Sequence, residues 1–256
     1  VKSRKETLMS QRRIIIAGNW KMHKNAAETA AFVEELKKNG RDLGASCDVV
    51  VAPPFTSLEA GVKCAKGSSV IVAAQNIHWE DKGAFTGEIS GSMLVETGVT
   101  HVIIGHSERR QYFGETDQTV CKRIKSAIRH KLIPIFCLGE TLEERENGAT
   151  FSVVKRQLVE GMGDAAPESA EKFIIAYEPV WAIGTGKTAT PQQAQEVHAY
   201  LRKELGEHRG VDFADRVRIL YGGSVKPDNT KELMSCRDID GGLVGGASLK
   251  VEDFLG

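Results

Sequence analysis

The sequence has little cysteine, no long apolar run and no excess of charge of either sign. Its five cysteines are scattered and form neither a C-x-x-C pair nor a zinc-ligand spacing, so they predict no disulfide framework and no zinc site. No apolar stretch approaches the roughly 18 residues that a membrane-spanning helix needs. The 34 basic side chains equal the 34 acidic ones, whereas nucleic-acid-binding proteins usually carry a basic excess. We therefore expect a cytoplasmic protein that holds no metal and binds neither membrane nor nucleic acid.

The length allows one large domain or two small ones. A chain of 256 residues buries roughly 70–75% of the surface that its unfolded form exposes, so its core needs no covalent support. No long linker or shift of composition divides the sequence, and parallel α/β barrels of this length commonly form one domain. Residues 1–8 are polar and lack the apolar segment of a signal peptide. We interpret residues 1–8 as an N-terminal extension and residues 9–256 as a single domain.

Eight short apolar runs alternate with stretches of helical spacing. Most runs are continuous, which is typical of strands buried on both faces of a parallel sheet. The runs are 14–17, 49–52, 70–73, 102–104, 133–136, 173–176, 217–220 and 242–244. Helices are predicted at 27–38, 57–66, 117–130, 150–161, 192–207 and 226–236. Because parallel strands need crossover connections and eight of them can close on themselves, the order predicts a single-domain (β/α)8 barrel, with an open doubly wound sheet as the alternative.

Polar side chains follow three of the predicted strands. Asn19 and Lys21 follow the first, His106 follows the fourth, and Glu178 follows the sixth. The loops after the strands of a parallel barrel gather at one end, where the active site lies. Each residue has an ordinary alternative: a solvated lysine, a histidine bonded to nearby backbone, or a structural carboxylate. Together they predict a proton-transfer site, in which burial of Glu178 would raise its pKa and make it a better base, while a nearby lysine would oppose the rise.

Glycines follow the last two strands and predict an anion site. Gly245 and Gly246 follow the eighth strand, and Ser224 comes after two glycines that follow the seventh. Without side chains, such amides can approach a phosphate closely. The alternative is that these glycines only turn the chain.

The segment between Glu178 and Pro191 predicts a mobile lid. It has an apolar first half and small residues near its end, so it can move on short hinges; the alternative is a static connection with Trp181 in the core. Its members are Pro179, Val180, Trp181, Ala182, Ile183, Gly184, Thr185, Gly186, Lys187, Thr188 and Ala189. The sequence GTGKT at 184–188 suggests a nucleotide site, but its glycine spacing fits neither a P-loop nor a dinucleotide fingerprint.

These stretches resemble the triosephosphate isomerase family. The resemblance extends from residue 9 to the C-terminus and is carried by GNWKM at 18–22, QNIHWEDKGAFTGEIS at 75–90, IIGHSERR at 103–110, AYEPVWAIGTGKTATP at 176–191, LYGGSV at 220–225 and GGLVGGASL at 241–249. It implies a TIM barrel that interconverts dihydroxyacetone phosphate and D-glyceraldehyde 3-phosphate through an enediolate, in glycolysis and gluconeogenesis, without a cofactor. The functional alternative is a phosphate-binding barrel that has lost catalysis.

The resemblance also implies roles for individual residues. Glu178 resembles the general base, His106 the electrophile that faces the substrate oxygens, and Lys21 and Asn19 the groups that stabilise negative charge. The groups implied to bind substrate and phosphate are Asn19, Lys21, Gly184, Ser224, Gly245 and Gly246. Because His106 precedes a predicted helix start, free backbone amides should favour its neutral form.

A homodimer is the last implication of the resemblance. The segment 76–90 contains Trp79, Phe85 and Thr86 and resembles the loop with which members of the family insert into the partner subunit. The alternative is an ordinary surface loop.

Overall fold

The structure, a computed structural model, describes residues 12–40, 43–185, 187–225 and 227–256. The predicted extension at residues 1–8 lies outside the described residues and stays a prediction. Gly186 of the predicted lid also lies outside them.

Eight parallel strands form a closed barrel in which each strand pairs with its neighbours in chain order. The strands are β1 (Ile15–Asn19), β2 (Asp48–Ala52), β3 (Val70–Ala74), β4 (His101–Ile104), β5 (Ile133–Leu138), β6 (Ile174–Tyr177), β7 (Arg218–Tyr221) and β8 (Gly241–Val244). The ring closes because β8 pairs with β1, with Leu243 opposite Ala17. The predicted (β/α)8 barrel is confirmed, and the open sheet is excluded.

Helices connect the strands on the outside of the barrel. The described helices are α1 (Ala26–Asn39), α2 (Leu43–Ser46), α3 (Leu58–Ala65), α4 (Gly91–Thr97), α5 (Ser107–Phe113), α6 (Asp117–Arg129), α7 (Leu142–Glu146), α8 (Thr150–Met162), α9 (Pro191–Arg209), α10 (Val211–Arg216), α11 (Pro227–Met234) and α12 (Val251–Leu255). All six predicted helices are present, with ends within two residues of the prediction. The short helices α2, α4, α10 and α12 were not predicted, because short segments are stabilised mainly by tertiary packing.

The strands read as continuous apolar runs because both of their faces are buried. In β5, Ile135 and Cys137 belong to the cluster that fills the barrel. Phe136 between them belongs to the larger cluster under the helices. A cysteine in the barrel interior is fully buried here, so its position is a packing position.

Side-chain caps fix the points where helices begin near the carboxyl end of the barrel. Helix α9 begins at Pro191, directly after the lid segment, and Thr190 and Gln193 each bond to the other's backbone N–H. Such a reciprocal cap satisfies amides that the first turn leaves free. The lid segment therefore ends at a firmly defined helix start.

Candidate active site

The ends of five strands bring the predicted site residues to one cavity. The cavity has a volume of about 620 Å³, and its lining includes all eight predicted catalytic and phosphate-binding residues: Asn19, Lys21, His106, Glu178, Gly184, Ser224, Gly245 and Gly246. Residues separated by more than two hundred positions meet there because the strands are parallel and their carboxyl ends share one rim.

Glu178 lies directly after β6 and is 1% exposed. Its Oε1 lies 2.8 Å from Nε2 of His106, and its Oε2 accepts the backbone N–H of Ser107 at 2.9 Å. Burial raises the pKa of Glu178, but the charge and hydrogen bond of His106, with the amide of Ser107, together lower it by more. Burial and Lys21 act on this pKa in the expected directions, but the contact with His106, which the sequence did not predict, makes the net shift downward.

His106 caps helix α5 with its own ring. Its Nδ1 accepts the backbone N–H of Glu108 at 3.2 Å, so this nitrogen carries no proton and Nε2 is the atom that faces Glu178. Burial lowers the pKa of His106, whereas the charge and hydrogen bond of Glu178 together raise it by more. Helix α5 begins where the sequence predicts it. The carboxylate of Glu178, however, outweighs the effect of burial and raises the pKa of His106.

Lys21, which also lines the cavity, is held in an uncommon backbone conformation. Its φ of 51° is one that side-chain-bearing residues rarely adopt. Its N–H donates to Oδ1 of Asn19 at 3.0 Å, and its carbonyl accepts Nε2 of Gln75 at 2.8 Å. Its Nζ lies 2.5 Å from Oε1 of Glu108. Sequence reasoning missed Gln75 and Glu108, although both stand inside the motifs that carry the resemblance.

The glycines after β8 leave open space in the cavity. Among the described residues, a Cβ added to Gly246 would meet no atom within 4 Å, and one added to Gly245 would approach only Lys21, at 3.8 Å from its Cε. These residues therefore leave room for side chains at both positions, and the room suits the close approach of a ligand. Ser224 differs, since its N–H donates to the carbonyl of Ala182 in the lid at 3.1 Å.

The lid segment is anchored at its first half and exposed at its tip. Nε1 of Trp181 donates to Oε1 of Glu140 at 2.9 Å, and the guanidinium of Arg145 lies 4.6 Å from the centre of the Trp181 ring. Gly184 and Thr185 are exposed. Trp181 is half-buried at the base of the lid and packs against the core cluster, so it is neither fully in the core nor exposed at the lid tip. Glu140 was missed, although it is the second residue after the end of β5.

The segment 76–90 places its aromatic side chains differently. Phe85 is 42% exposed, and Thr86 is exposed. Trp79 is half-buried and stacks on His78 of its own chain, with ring centres 4.2 Å apart. Only Phe85 and Thr86 thus fit the expectation of side chains available to a partner.

The described residues include no group of three or more histidine, cysteine, aspartate or glutamate side chains that could hold a metal ion. Within the same residues, no helix is both long and apolar enough to cross a membrane.

The buried carboxylate of Glu178 faces the imidazole of His106, and Lys21 lines the same cavity. This arrangement suits the transfer of a proton on a small anion. On a (β/α)8 barrel with an open glycine rim, this arrangement defines an enzyme of the TIM-barrel isomerase class. Comparison with known sequences narrows the class. Residues 14–256 match the triosephosphate isomerase family, and the chain belongs to that family.

Relatives support the assignment over almost the whole chain. The triosephosphate isomerase of Carboxydothermus hydrogenoformans is 56% identical over 243 residues, which cover 95% of this chain and 96% of the relative. That of Alkaliphilus metalliredigens is 53% identical over 245 residues, covering 96% and 98%. That of Clostridium botulinum is 55% identical over 243 residues, covering 95% and 97%. The chain is an isomerase that interconverts dihydroxyacetone phosphate and D-glyceraldehyde 3-phosphate in glycolysis.

Proposed function

We propose that Glu178 is the general base that moves a proton between two neighbouring carbons of the triose phosphate. The observation that carries this proposal is the contact of its buried carboxylate with Nε2 of His106 at 2.8 Å, in a cavity that Lys21 also lines. A carbon-bound proton next to a carbonyl is weakly acidic. Its removal therefore needs a positioned base together with donors placed where the enediolate charge develops.

His106 and Lys21 supply those donors. With Nδ1 occupied by the N–H of Glu108, the Nε2–H of His106 is free to donate to the substrate oxygens once Glu178 turns toward the substrate carbon. Lys21 carries a positive charge into the same cavity, and Asn19 fixes the backbone of Lys21. The enediolate therefore lies between a neutral donor and a cation, and Glu178 returns the proton to the second carbon.

The phosphate lies at the glycine rim, held by the amides of Gly184, Ser224, Gly245 and Gly246. Support comes from the open space at Gly246 and from the place of all four in the cavity lining. Because the amide of Ser224 donates to Ala182 of the lid, it becomes available to the phosphate only when the lid moves. Lid closure would exclude water and so limit the loss of phosphate from the enediolate.

The base assignment is tested with Glu178→Gln, which keeps the size of the side chain and removes the base. We expect kcat to fall by about 10³-fold, while the affinity for 2-phosphoglycolate, a phosphorylated carboxylate, changes far less. Glu143→Gln, at an exposed position of α7, is the matched control and should leave both values unchanged. An equal loss of rate and of affinity would mean that Glu178 binds the substrate and does not act as its base.

A homodimer completes the proposal. Four side chains with apolar surface, in the segments after β1, β3 and β4, are unusually exposed: Met22 at 93%, Phe85 at 42%, Tyr112 at 67% and Phe113 at 67%. These strands lie in the same half of the barrel, which supports a shared surface for the four side chains. Exposed apolar patches of this kind mark interaction surfaces, and Phe85 and Thr86 would form the loop that inserts into the partner. We also place the enzyme in the cytoplasm, where a thiol such as that of buried Cys137 stays reduced.

The dimer is tested by light scattering of the purified protein. We expect twice the chain mass for the unmodified protein and a large monomer fraction for Phe85→Glu. Val211→Glu, which also introduces a charge at an exposed apolar side chain (66% exposed) but on α10, is the matched control and should stay dimeric. A monomeric mass of the unmodified protein together with full activity would contradict the proposal.

A further inference from the structure

One buried glutamine of α8 bonds to the chain just after β5. Gln157 is 6% exposed. Its Oε1 accepts the N–H of Gly139 at 2.7 Å, and its Nε2 donates to the carbonyl of Gly139 at 3.1 Å. Both backbone groups of Gly139 therefore bond to one side-chain amide, as they would to the peptide of a neighbouring strand. The amide takes this place where β5 has already ended at Leu138.

Gly139 lies directly against the backbone of Glu178. The N–H of Glu178 donates to the carbonyl of Leu138 at 2.8 Å. A Cβ added to Gly139 would lie 1.8 Å from the carbonyl oxygen of Glu178, and one added to Gly222 would lie 2.9 Å from its Cγ. Glu178 is therefore packed between two glycines, and any displacement of Gly139 displaces Glu178 as well.

The residue after Gly139 holds the base of the lid. The carbonyl of Glu140 accepts the N–H of Val180 at 3.1 Å, and its carboxylate accepts Nε1 of Trp181 at 2.9 Å. The segment that Gln157 fixes thus carries both the backbone of Glu178 and the first anchors of the lid.

Gln157 itself does not line the substrate cavity. It lines a separate cavity of about 410 Å³ behind Glu178, in which the charged side chains are Arg110, Glu144 and Glu178. Its hydrogen bonds connect it to the reaction site through Gly139. We propose that Gln157 is a positioning residue for proton transfer, whose amide sets Gly139 and thereby the direction from which the Glu178 carboxylate reaches the substrate carbon. This inference rests on the proposed role of Glu178 as the base.

The first test is Gln157→Met, which keeps the length of the side chain and removes both hydrogen bonds. Because displacement of a reacting group by about 1 Å can cost 100-fold in rate, we expect kcat to fall about 10- to 100-fold. KM and the dissociation constant of inorganic phosphate should change less than about threefold, because the phosphate site lies on other strands. Val154→Ala, at a fully buried position of the same helix, is the matched control. It should lower Tm and leave kcat unchanged.

The second test is Gln157→Glu, studied across pH. When protonated, the introduced carboxyl offers a carbonyl and an O–H in the same pattern as the amide; when ionised, it loses the donor and opposes the carbonyl of Gly139. The ratio of its kcat to that of the unmodified enzyme should therefore fall as pH rises, with a single proton released. This comparison needs only Gln157→Glu and the unmodified enzyme, so it stands even where Gln157→Met does not fold.

Two results would overturn the inference. One is an unchanged kcat in Gln157→Met with a lowered Tm, as in Val154→Ala, which would make the glutamine purely structural. The other is a pH-independent ratio for Gln157→Glu. Measuring Glu178→Gln in the same series separates the two proposals. Full activity of Glu178→Gln would show that the base is assigned wrongly, whereas its inactivity beside fully active Gln157 variants would overturn this inference alone.

Discussion

Two fully enclosed histidines make the stability of the barrel depend on pH below neutrality. His198 of α9 is completely buried, and His101 of β4 is 5% exposed. Burial lowers the pKa of His198 to about 3 and that of His101 to about 4. The charged groups that face them are Arg202 and Asp238 for His198 and, for His101, the side chains of Arg218 and Asp48.

The sign of the effect follows from proton binding. Below the usual pKa of 6.5 the unfolded chain protonates both histidines while the folded chain does not, so the unfolded state binds more protons and stability falls as pH falls. Between the usual pKa of 6.5 and about pH 4.5 the loss spans two pH units at about 1.4 kcal/mol each, or about 3 kcal/mol per histidine. For two histidines the loss is about 6 kcal/mol, which approaches the whole stability of many domains.

The assay is urea unfolding at about pH 7.5 and about pH 4.5, at one fixed protein concentration because the stability of the proposed dimer depends on it. In His198→Gln the introduced amide can still donate to the carbonyl of Asp238, 3.1 Å from Nδ1 of His198, but it cannot titrate. This variant should lose about 3 kcal/mol less than the unmodified protein between the two pH values. His23→Gln, at an exposed position, is the matched control and should behave like the unmodified protein. An equal loss in His198→Gln would refute the reasoning.

Three further substitutions test the site and the barrel. Lys21→Met removes the cation beside Glu108 and should lower kcat/KM by about 100-fold or more with a raised KM, measured by steady-state kinetics; an unchanged KM would contradict its contact with the anion. Cys137→Trp overfills the barrel interior and should cost about 3 kcal/mol or more, measured by urea unfolding; an unchanged midpoint would contradict the packing role of the cysteine. Arg202→Leu leaves Asp238, now 2.9 Å from its guanidinium, without its buried arginine, and leaves Asp240, now 2.7 Å away, with Arg12 as its ion-pair partner. It should cost about 3 kcal/mol, by the same method; a loss below 1 kcal/mol would mean that other groups compensate.

The strands and long helices could be predicted because their signals are local. A run such as 49–52 is apolar throughout since both of its faces are buried, and a helix such as α9 has its apolar period, its proline and its cap within one stretch of chain. The residues around the reaction centre could be named for a related reason. Asn19, His106 and Glu178 end or follow strands, and parallel strands bring all such positions to one rim.

The partners of those residues could not be predicted, because each partner comes from another part of the chain. Gln157 reaches Gly139 across 18 positions, and Lys21 lies against Glu108 across 87. The direction of the Glu178 pKa shift also depends on such a pair, since His106 opposes the effect of burial.

The sequence by itself determined the eight βα units, their closure into a barrel and the short set of polar residues at its rim, because these depend on apolar pattern and chain order. Only the tertiary structure decided which donors each of those residues contacts, how Trp181 and Glu140 hold the lid, and which of the aromatic side chains at 76–90 stay exposed. Distances of a few ångströms between residues remote in sequence set hydrogen bonds and pKa values, and no periodicity in a single chain encodes such distances.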